Sequence, residues 1–270
     1  MNAHTKVETT PVLREDRGST AILTLNRPGS RNALSDAMIA ALTAELDAIA
    51  ADRRARAVVV AAHGPAFCAG HDLKEVTRRR SDPDRGRASF ARLFESCSAL
   101  MMRIVRLPQP VIAAVEGVAT AAGCQLVASC DLAVAGADAR FATPGVNIGL
   151  FCSTPMVALT RNVPRKRAME MLLLGDLVEA EEAERIGLVN RVVSAGDALQ
   201  EAMRLAERIA SKSAATLRVG KRAFYEQAEM GLADAYAHTG RVMVENMLGR
   251  DAEEGIGAFV EKRAPVWSDA

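Results

Sequence analysis

The sequence predicts an α/β fold that ends in a helical region. Three observations predict it. Short apolar runs of strand length, at residues 58–62, 111–115 and 132–135, alternate with amphipathic helical segments. The strands thin out after mid-chain. Long amphipathic helices fill the remainder. This places a boundary near Asn190, with a core over residues 1–190 and a C-terminal helical region over 191–270.

Taken in order, residues 21–25 read as a first strand, and Asn26-Arg27-Pro28-Gly29 turns the chain. Ser35 and Asp36 cap a helix reaching about residue 51, with Met38, Leu42, Leu46 and Ile49 on one face. A charged link leads to the buried strand at 58–62, and His63-Gly64-Pro65 turns it into a loop. Residues 77–87 are dense in charge and carry Pro83; they predict a mobile surface loop or a frayed helix. A helix by period covers 90–105, and Leu107-Pro108-Gln109-Pro110 stops it before the strand at 111–115. Glu116-Gly117 ends that strand, and a helix at 124–129 follows a run of small residues. Strands at 132–135 and 141–142 come next, then helices at 154–162, 164–173 and 180–186, and a strand at 188–193. Pro164 suits a first helical turn. Helices at 199–212, 214–229 and 233–248 precede a closing segment at 251–262. No internal repeat or low-complexity tract is present.

Composition narrows the function classes. A chain of 270 residues can bury one sizeable core. A net charge of +1 gives no footprint for nucleic acid or an anionic membrane, and no apolar run approaches a membrane span. Residues 1–20 lack the apolar core and cleavage pattern of a signal peptide, and read as polar and frayed. Cys68, Cys97, Cys124, Cys130 and Cys152 lack the paired short spacing of a zinc site or a disulfide framework, and fit a reducing cytoplasm.

The stretch at 111–131 organises the chain. A helix that begins on Ala121-Ala122-Gly123, just after a strand, leaves its first N–H groups free and approachable. Such donors, at the positive end of the helix dipole, suit a developing oxyanion. On these residues alone, a tight turn packed on the core is the simpler reading. A second stretch adds Phe67-Cys68-Ala69-Gly70-His71-Asp72-Leu73. Further segments are Asn26-Arg27-Pro28, Asn32-Ala33-Leu34, Phe141-Ala142-Thr143-Pro144 and Phe259-Val260-Glu261-Lys262-Arg263. In this order and spacing they resemble the crotonase, or enoyl-CoA hydratase/isomerase, family over nearly the whole chain.

The resemblance implies a ClpP/crotonase-like spiral of repeated ββα units, with C-terminal helices that support a homotrimer or a dimer of trimers. It implies an acyl-CoA ligand, with no cofactor beyond the coenzyme A carried by the substrate. By motif position, the backbone N–H groups of Ala69 and Ala122 form an oxyanion hole. The family often has three glycines at the second donor; Ala121 and Ala122 replace two of them, which predicts a helical φ at both. Positions implied to contact substrate or CoA are Arg31, Ala33, Ala69, Gly70, His71, Asp72, Leu73, Ala121, Thr143, Asn147, Phe259 and Lys262. Lys262 matches a position that reaches a CoA phosphate, often across a subunit boundary; a solvated helix lysine is an equal reading.

Two departures matter more than the matches. Family hydratases carry carboxylates where this chain has Gln125 and Gly145. Hydration needs one group to activate water and another to protonate the α-carbon. Gln125 cannot take a proton near pH 7, and Gly145 has no side chain. Leu150-Phe151-Cys152-Ser153-Thr154-Pro155 also replaces the usual continuation, and resembles one particular branch of the family. Of the remaining polar groups, His71 reads as a proton carrier or a hydrogen-bond donor to ligand or, more simply, as a loop residue bonded to backbone. Asp72 reads as a cap of its own loop, Glu116 as a turn carboxylate at the surface, and Asp131 as structural. Cys124 and Cys152 read as small buried fillers. Three functions are open: an enzyme that stabilises a thioester enolate with protons sourced elsewhere, a non-catalytic acyl-CoA binding or assembly protein, and a serine hydrolase. The last is weak, because Ser153 has no histidine near it in sequence.

Overall fold

The computed structural model describes residues 10–269. The chain opens with a hairpin of β1 (Val12–Arg17) and β2 (Thr20–Leu25). This corrects the expectation of a frayed terminus through residue 20; residues 1–9 lie outside the described residues. The hairpin escapes a hydrophobicity reading because β1 is an edge strand with charged side chains on its open face. Next come α1 (Asp36–Ala51), β3 (Ala57–Ala62), α2 (Leu73–Arg79) and α3 (Arg87–Arg106). Ser35 caps α1 as expected, its side chain accepting from the Met38 N–H. The charged stretch at 77–87 ends one helix and begins another. α2 forms because the Asp72 side chain accepts from the Lys74 and Glu75 N–H groups.

Then follow β4 (Val111–Val115), β5 (Val118–Thr120), α4 (Ala122–Ser129), β6 (Leu132–Gly136) and β7 (Arg140–Ala142). The second half adds α5 (Pro155–Leu159), α6 (Arg165–Leu174), β8 (Val178–Glu179), α7 (Ala180–Arg185) and β9 (Arg191–Val193). It ends with α8 (Ala198–Ala210), α9 (Ala214–Gln227), α10 (Leu232–Met247) and α11 (Arg250–Val260).

The main sheet has the order β1-β2-β3-β4-β6-β9, and only the β1/β2 pair is antiparallel. A smaller sheet has the order β5-β7-β8. The central strands read as unbroken apolar runs because both faces are covered. Leu23, Val58, Val60, Val111 and Ala113 face the large core with α1, α3 and α4, whereas Ile22, Val59, Ile112 and Val134 pack against Ala198, Ala202 and Leu205 of α8. β9 and α8, beyond residue 190, thus pack on this sheet. α9 packs on α10 and α11. A buried ion pair ties α9 to the sheet: Lys221 Nζ lies 2.6 Å from Asp131 Oδ2 and also donates to the Ile104 and Gln109 carbonyls at 3.0 Å. Asp131 further accepts from the Val111 N–H and the Tyr225 hydroxyl, the structural role read from its position. No helix among the described residues is long and apolar enough to cross a membrane.

Candidate active site

The turn between β5 and α4 is backbone held under tension. Ala121 has φ 51° and ψ −117°, a region populated almost only by glycine. The helical φ expected at this residue is therefore corrected; Ala122, the first residue of α4, does belong to the helix. Bonds on both sides fix the strained residue. Its N–H donates to the Ala142 carbonyl at 2.9 Å, which continues the β5/β7 pairing, and its carbonyl accepts the Gln125 N–H at 3.0 Å. Gly123 is required next: a Cβ there would stand 2.1 Å from the Cys68 carbonyl oxygen. The Ala122 N–H has no acceptor among the described residues. It sits at the positive end of an entirely buried helix.

The loop from Ala69 meets this turn. Gly70 has φ +90°, and a Cβ on it would lie 3.0 Å from Ala121 Cβ and 3.5 Å from the Ala122 nitrogen. Glycine is therefore needed twice over, for its φ and for the close approach. The donor expected in this loop is not free: the Ala69 N–H donates to the Arg31 carbonyl at 3.0 Å. The physical reason is local register. The Gly70 carbonyl accepts the Leu34 N–H at 2.7 Å, so Gly70 faces that segment and the next N–H faces away from it. That N–H belongs to His71, and it has no acceptor among the described residues. The N–H groups of His71 and Ala122 are thus among those on the touching segments that lack an acceptor among the described residues.

Asn32 sets this geometry from behind. Arg31 and Asn32 both have φ above 50°, which asparagine tolerates better than most residues. The buried Asn32 amide accepts from the Arg27 N–H at 2.8 Å and donates to the His63 and Ala66 carbonyls at 2.9 and 2.8 Å. It ties the first turn to the strand end that feeds the donor loop.

Three residues on the segments that meet here carry a buried side-chain atom without a partner: His71 Nε2, Gln125 Oε1 and Thr143 Oγ1. Gln125 and Thr143 are 5% and 0% exposed. Thr143 directly follows Ala142, and Gln125 begins the second turn of α4. His71 Nδ1 lies 3.4 Å from the Leu34 carbonyl, and its ring meets Phe94 edge-on at 5.7 Å. Burial pushes the imidazole pKa below its usual 6.5, against the smaller upward pull of the Leu34 carbonyl and Asp36. Gly145 is closed rather than strained: a Cβ would lie 2.8 Å from the Leu150 carbonyl oxygen and 2.9 Å from Cys152 Sγ.

The other expected contacts are less central. Ala33 is buried, with its N–H on the Ser30 carbonyl, and Arg31 reaches the donor loop through its carbonyl. Asp72 caps α2, and Leu73 is half-exposed. Asn147 is exposed, with its amide against Gly175. Phe259 and Lys262 stand exposed at the end of α11, which packs on α9 and α10. Glu116 is occupied in accepting the Gly196 and Ala198 N–H groups before α8. Ser153 is exposed, its hydroxyl donating to the Phe151 carbonyl. Burial pushes the Cys68 and Cys124 thiols up to about 12, as expected of inert fillers.

The model of the enoyl-CoA hydratase/isomerase family matches residues 15–270. The chain belongs to the enoyl-CoA hydratase/isomerase, or crotonase, family. It is similar to the human mitochondrial enoyl-CoA hydratase domain-containing protein 3, with 49% identity over 91% of this chain and 80% of that protein. The Xenopus laevis protein of the same name is 46% identical over 99% of this chain and 90% of its own. These bear out the branch resemblance carried by the 150–155 segment. Among solved structures, an enoyl-CoA hydratase from Mycobacterium smegmatis is 52% identical, with a TM-score of 0.90 over 95% of this chain and 98% of that one. The human domain-containing protein 3 aligns with a TM-score of 0.90 and 46% identity over 95% of this chain and 100% of that one. The crotonase fold and its C-terminal helices are therefore those expected.

Proposed function

We propose that this chain binds an acyl-CoA thioester and stabilises its enolate oxygen on two backbone N–H groups, those of His71 and Ala122. The observation that carries the reading is that both N–H groups lack an acceptor among the described residues and stand where two segments touch, Gly70 lying against Ala121 and Ala122. Backbone donors are rigid and need no reorganisation as charge develops. Hydration itself is disfavoured, because Gln125 and Gly145 supply neither half of an acid–base pair. A reaction that forms an enolate and moves one proton, such as isomerisation or decarboxylation, asks less of the site. The same vacancies favour the second reading, an acyl-CoA binding or assembly protein without turnover.

Deleting the Ala122 N–H tests the donor pair. Proline suits the first position of a helix but constrains the residue before it, and Ala121 occupies a region that a pre-proline alanine avoids. The variant is therefore Ala121→Gly with Ala122→Pro, compared against Ala121→Gly alone. Loss of one such donor lowers kcat by about 10²–10³. Should no turnover exist, calorimetry should still show the preference for acyl-CoA over free CoA disappearing. A folded double variant that keeps the preference of its parent removes Ala122 from the site.

Exposed apolar side chains on α10, including Leu232, Tyr236, Met243, Val244 and Met247, support a homotrimer or a dimer of trimers. In such an assembly Lys262 and Phe259 would serve the CoA of a neighbouring subunit. Five buried free thiols support a reducing compartment such as the cytoplasm.

A further inference from the structure

The donor pair leaves one question of chemistry: where a proton goes when an enolate forms. Both family carboxylates are replaced, Glu116 is engaged at α8, and Asp72 caps α2. His71 differs from these groups. Its Nδ1 faces the Leu34 carbonyl, which can only accept, so Nδ1 carries the hydrogen and Nε2 keeps a lone pair. That lone pair is buried and unpartnered. Gln125 Oε1 and Thr143 Oγ1, also buried and unpartnered, stand on the two segments that bond Ala121 on either side. Buried polar atoms without a partner are uncommon in a native interior, and the three neighbouring segments that meet at Ala121 each carry one.

We propose that the His71 side chain is the proton acceptor of this site, so that one residue holds the thioester oxygen with its N–H and takes the α-proton with its ring. The inference rests on the acyl-CoA reading above. The α-carbon is two bonds from the oxygen that the His71 N–H would hold, so the role requires Nε2, not Nδ1, to be the ring atom turned toward it. In the step, the α C–H bond breaks and its proton goes to Nε2. The C–H electron pair becomes the C=C bond of the enolate as the carbonyl π pair moves onto oxygen. The imidazolium keeps its Nδ1–H on Leu34 and returns a proton to carbon. Gln125 and Thr143 orient the acyl group or a water beside it.

Several features favour the role. The lowered pKa keeps the ring neutral, hence basic, at pH 7. The charged group that acts on it is Asp36, at the start of α1; Phe94 of α3, on its other side, is uncharged. Phe94 and Leu34 also fix the ring's orientation, which a proton acceptor needs.

The test is hydrogen exchange at carbon. Butanoyl-CoA is incubated with the protein in D2O and its α-deuterium content read by mass spectrometry. Binding is measured separately by calorimetry, and folding by circular dichroism. Wild type should catalyse exchange, with a rate that rises with pH and levels off below 6.5. His71→Gln keeps the backbone N–H and a polar side chain. It should bind butanoyl-CoA with a similar Kd but exchange about 10²–10⁴-fold more slowly, without the pH step. His71→Asn serves the same comparison if the glutamine variant fails to fold. Tight binding without exchange in wild type, or exchange that survives either substitution, overturns the role of the ring while leaving the ligand reading intact. Absence of butanoyl-CoA binding by wild type overturns both.

Discussion

Replacing Ala121 with glycine should stabilise the protein, although glycine usually weakens a fold. Ala121 holds φ 51° and ψ −117°, a glycine-like region that costs an alanine about 1–3 kcal/mol. Glycine relieves that strain but raises the entropy of the unfolded chain, a cost of about 0.4–1 kcal/mol. Taking lower bounds together and upper bounds together leaves a net gain of roughly 0.6–2 kcal/mol. The methyl group is half-buried and packs against the edge of the main core, so its lost contact subtracts from this gain. For a chain of 270 residues, at about 2 °C per kcal/mol, the gain should raise Tm by roughly 1–4 °C. Urea titration with an unchanged m-value, beside a thermal scan, measures it. A fall in the urea midpoint would refute the reasoning, because it would mean that the methyl group contributes more by contact than the backbone loses by strain. Ala122→Gly, one residue on and helical, is the control and should destabilise by about 0.5–1 kcal/mol.

Four other outcomes can be checked. Wild type should hydrate crotonyl-CoA poorly or not at all, read as loss of enoyl absorbance; robust hydration would return an acid–base pair to the site. Gly145→Glu should destabilise by about 1–3 kcal/mol in urea and should not create a hydratase, even beside Gln125→Glu, because its Cβ meets the Leu150 carbonyl. Lys221→Met should cost about 3–5 kcal/mol by stranding the Asp131 carboxylate, and Asp131→Asn in the same chain should recover part of it; equal urea midpoints in all three proteins would show the pair to be idle. Stability should also fall as pH drops below 6.5: the unfolded chain protonates its histidine there while the folded chain, with a lowered His71 pKa, resists, so the unfolded state binds more protons. His71→Gln should reduce that slope in urea midpoints measured across pH 5–7.

The strands at 58–62 and 111–115 were legible because each is buried on both faces, which leaves an unbroken apolar signature. β5 was not, since its three residues continue a run of small side chains and gain strand form only by pairing with β7. α2 was hidden by charge density and is revealed by its Asp72 cap. At the site, the motifs located both segments that meet at Ala121, but not which N–H groups of the first are bonded. Which N–H is free depends on how Leu34 registers against Gly70, and a shift along the loop exchanges bonded for unbonded groups. The positive φ at Ala121 was likewise illegible, because the β5/β7 pairing overrides the local preference of alanine.

The departures at Gly145 and at 150–155 are one structural change rather than two. The Gly145 carbonyl accepts the Leu150 N–H at 2.9 Å, so the segment folds back across it. The Leu150 carbonyl and Cys152 then occupy the space that a Cβ at 145 would need. Cys152 is buried there, its thiol pKa raised by desolvation, while Leu150 and Phe151 remain exposed at the rim. A carboxylate cannot be restored at 145 while this segment keeps its path, and the segment can keep its path only with glycine beneath it. The Ala69–Leu73 loop has no such obstruction: its Gly70 lies against Ala121 and Ala122 at the start of α4, and the next N–H, that of His71, has no acceptor among the described residues.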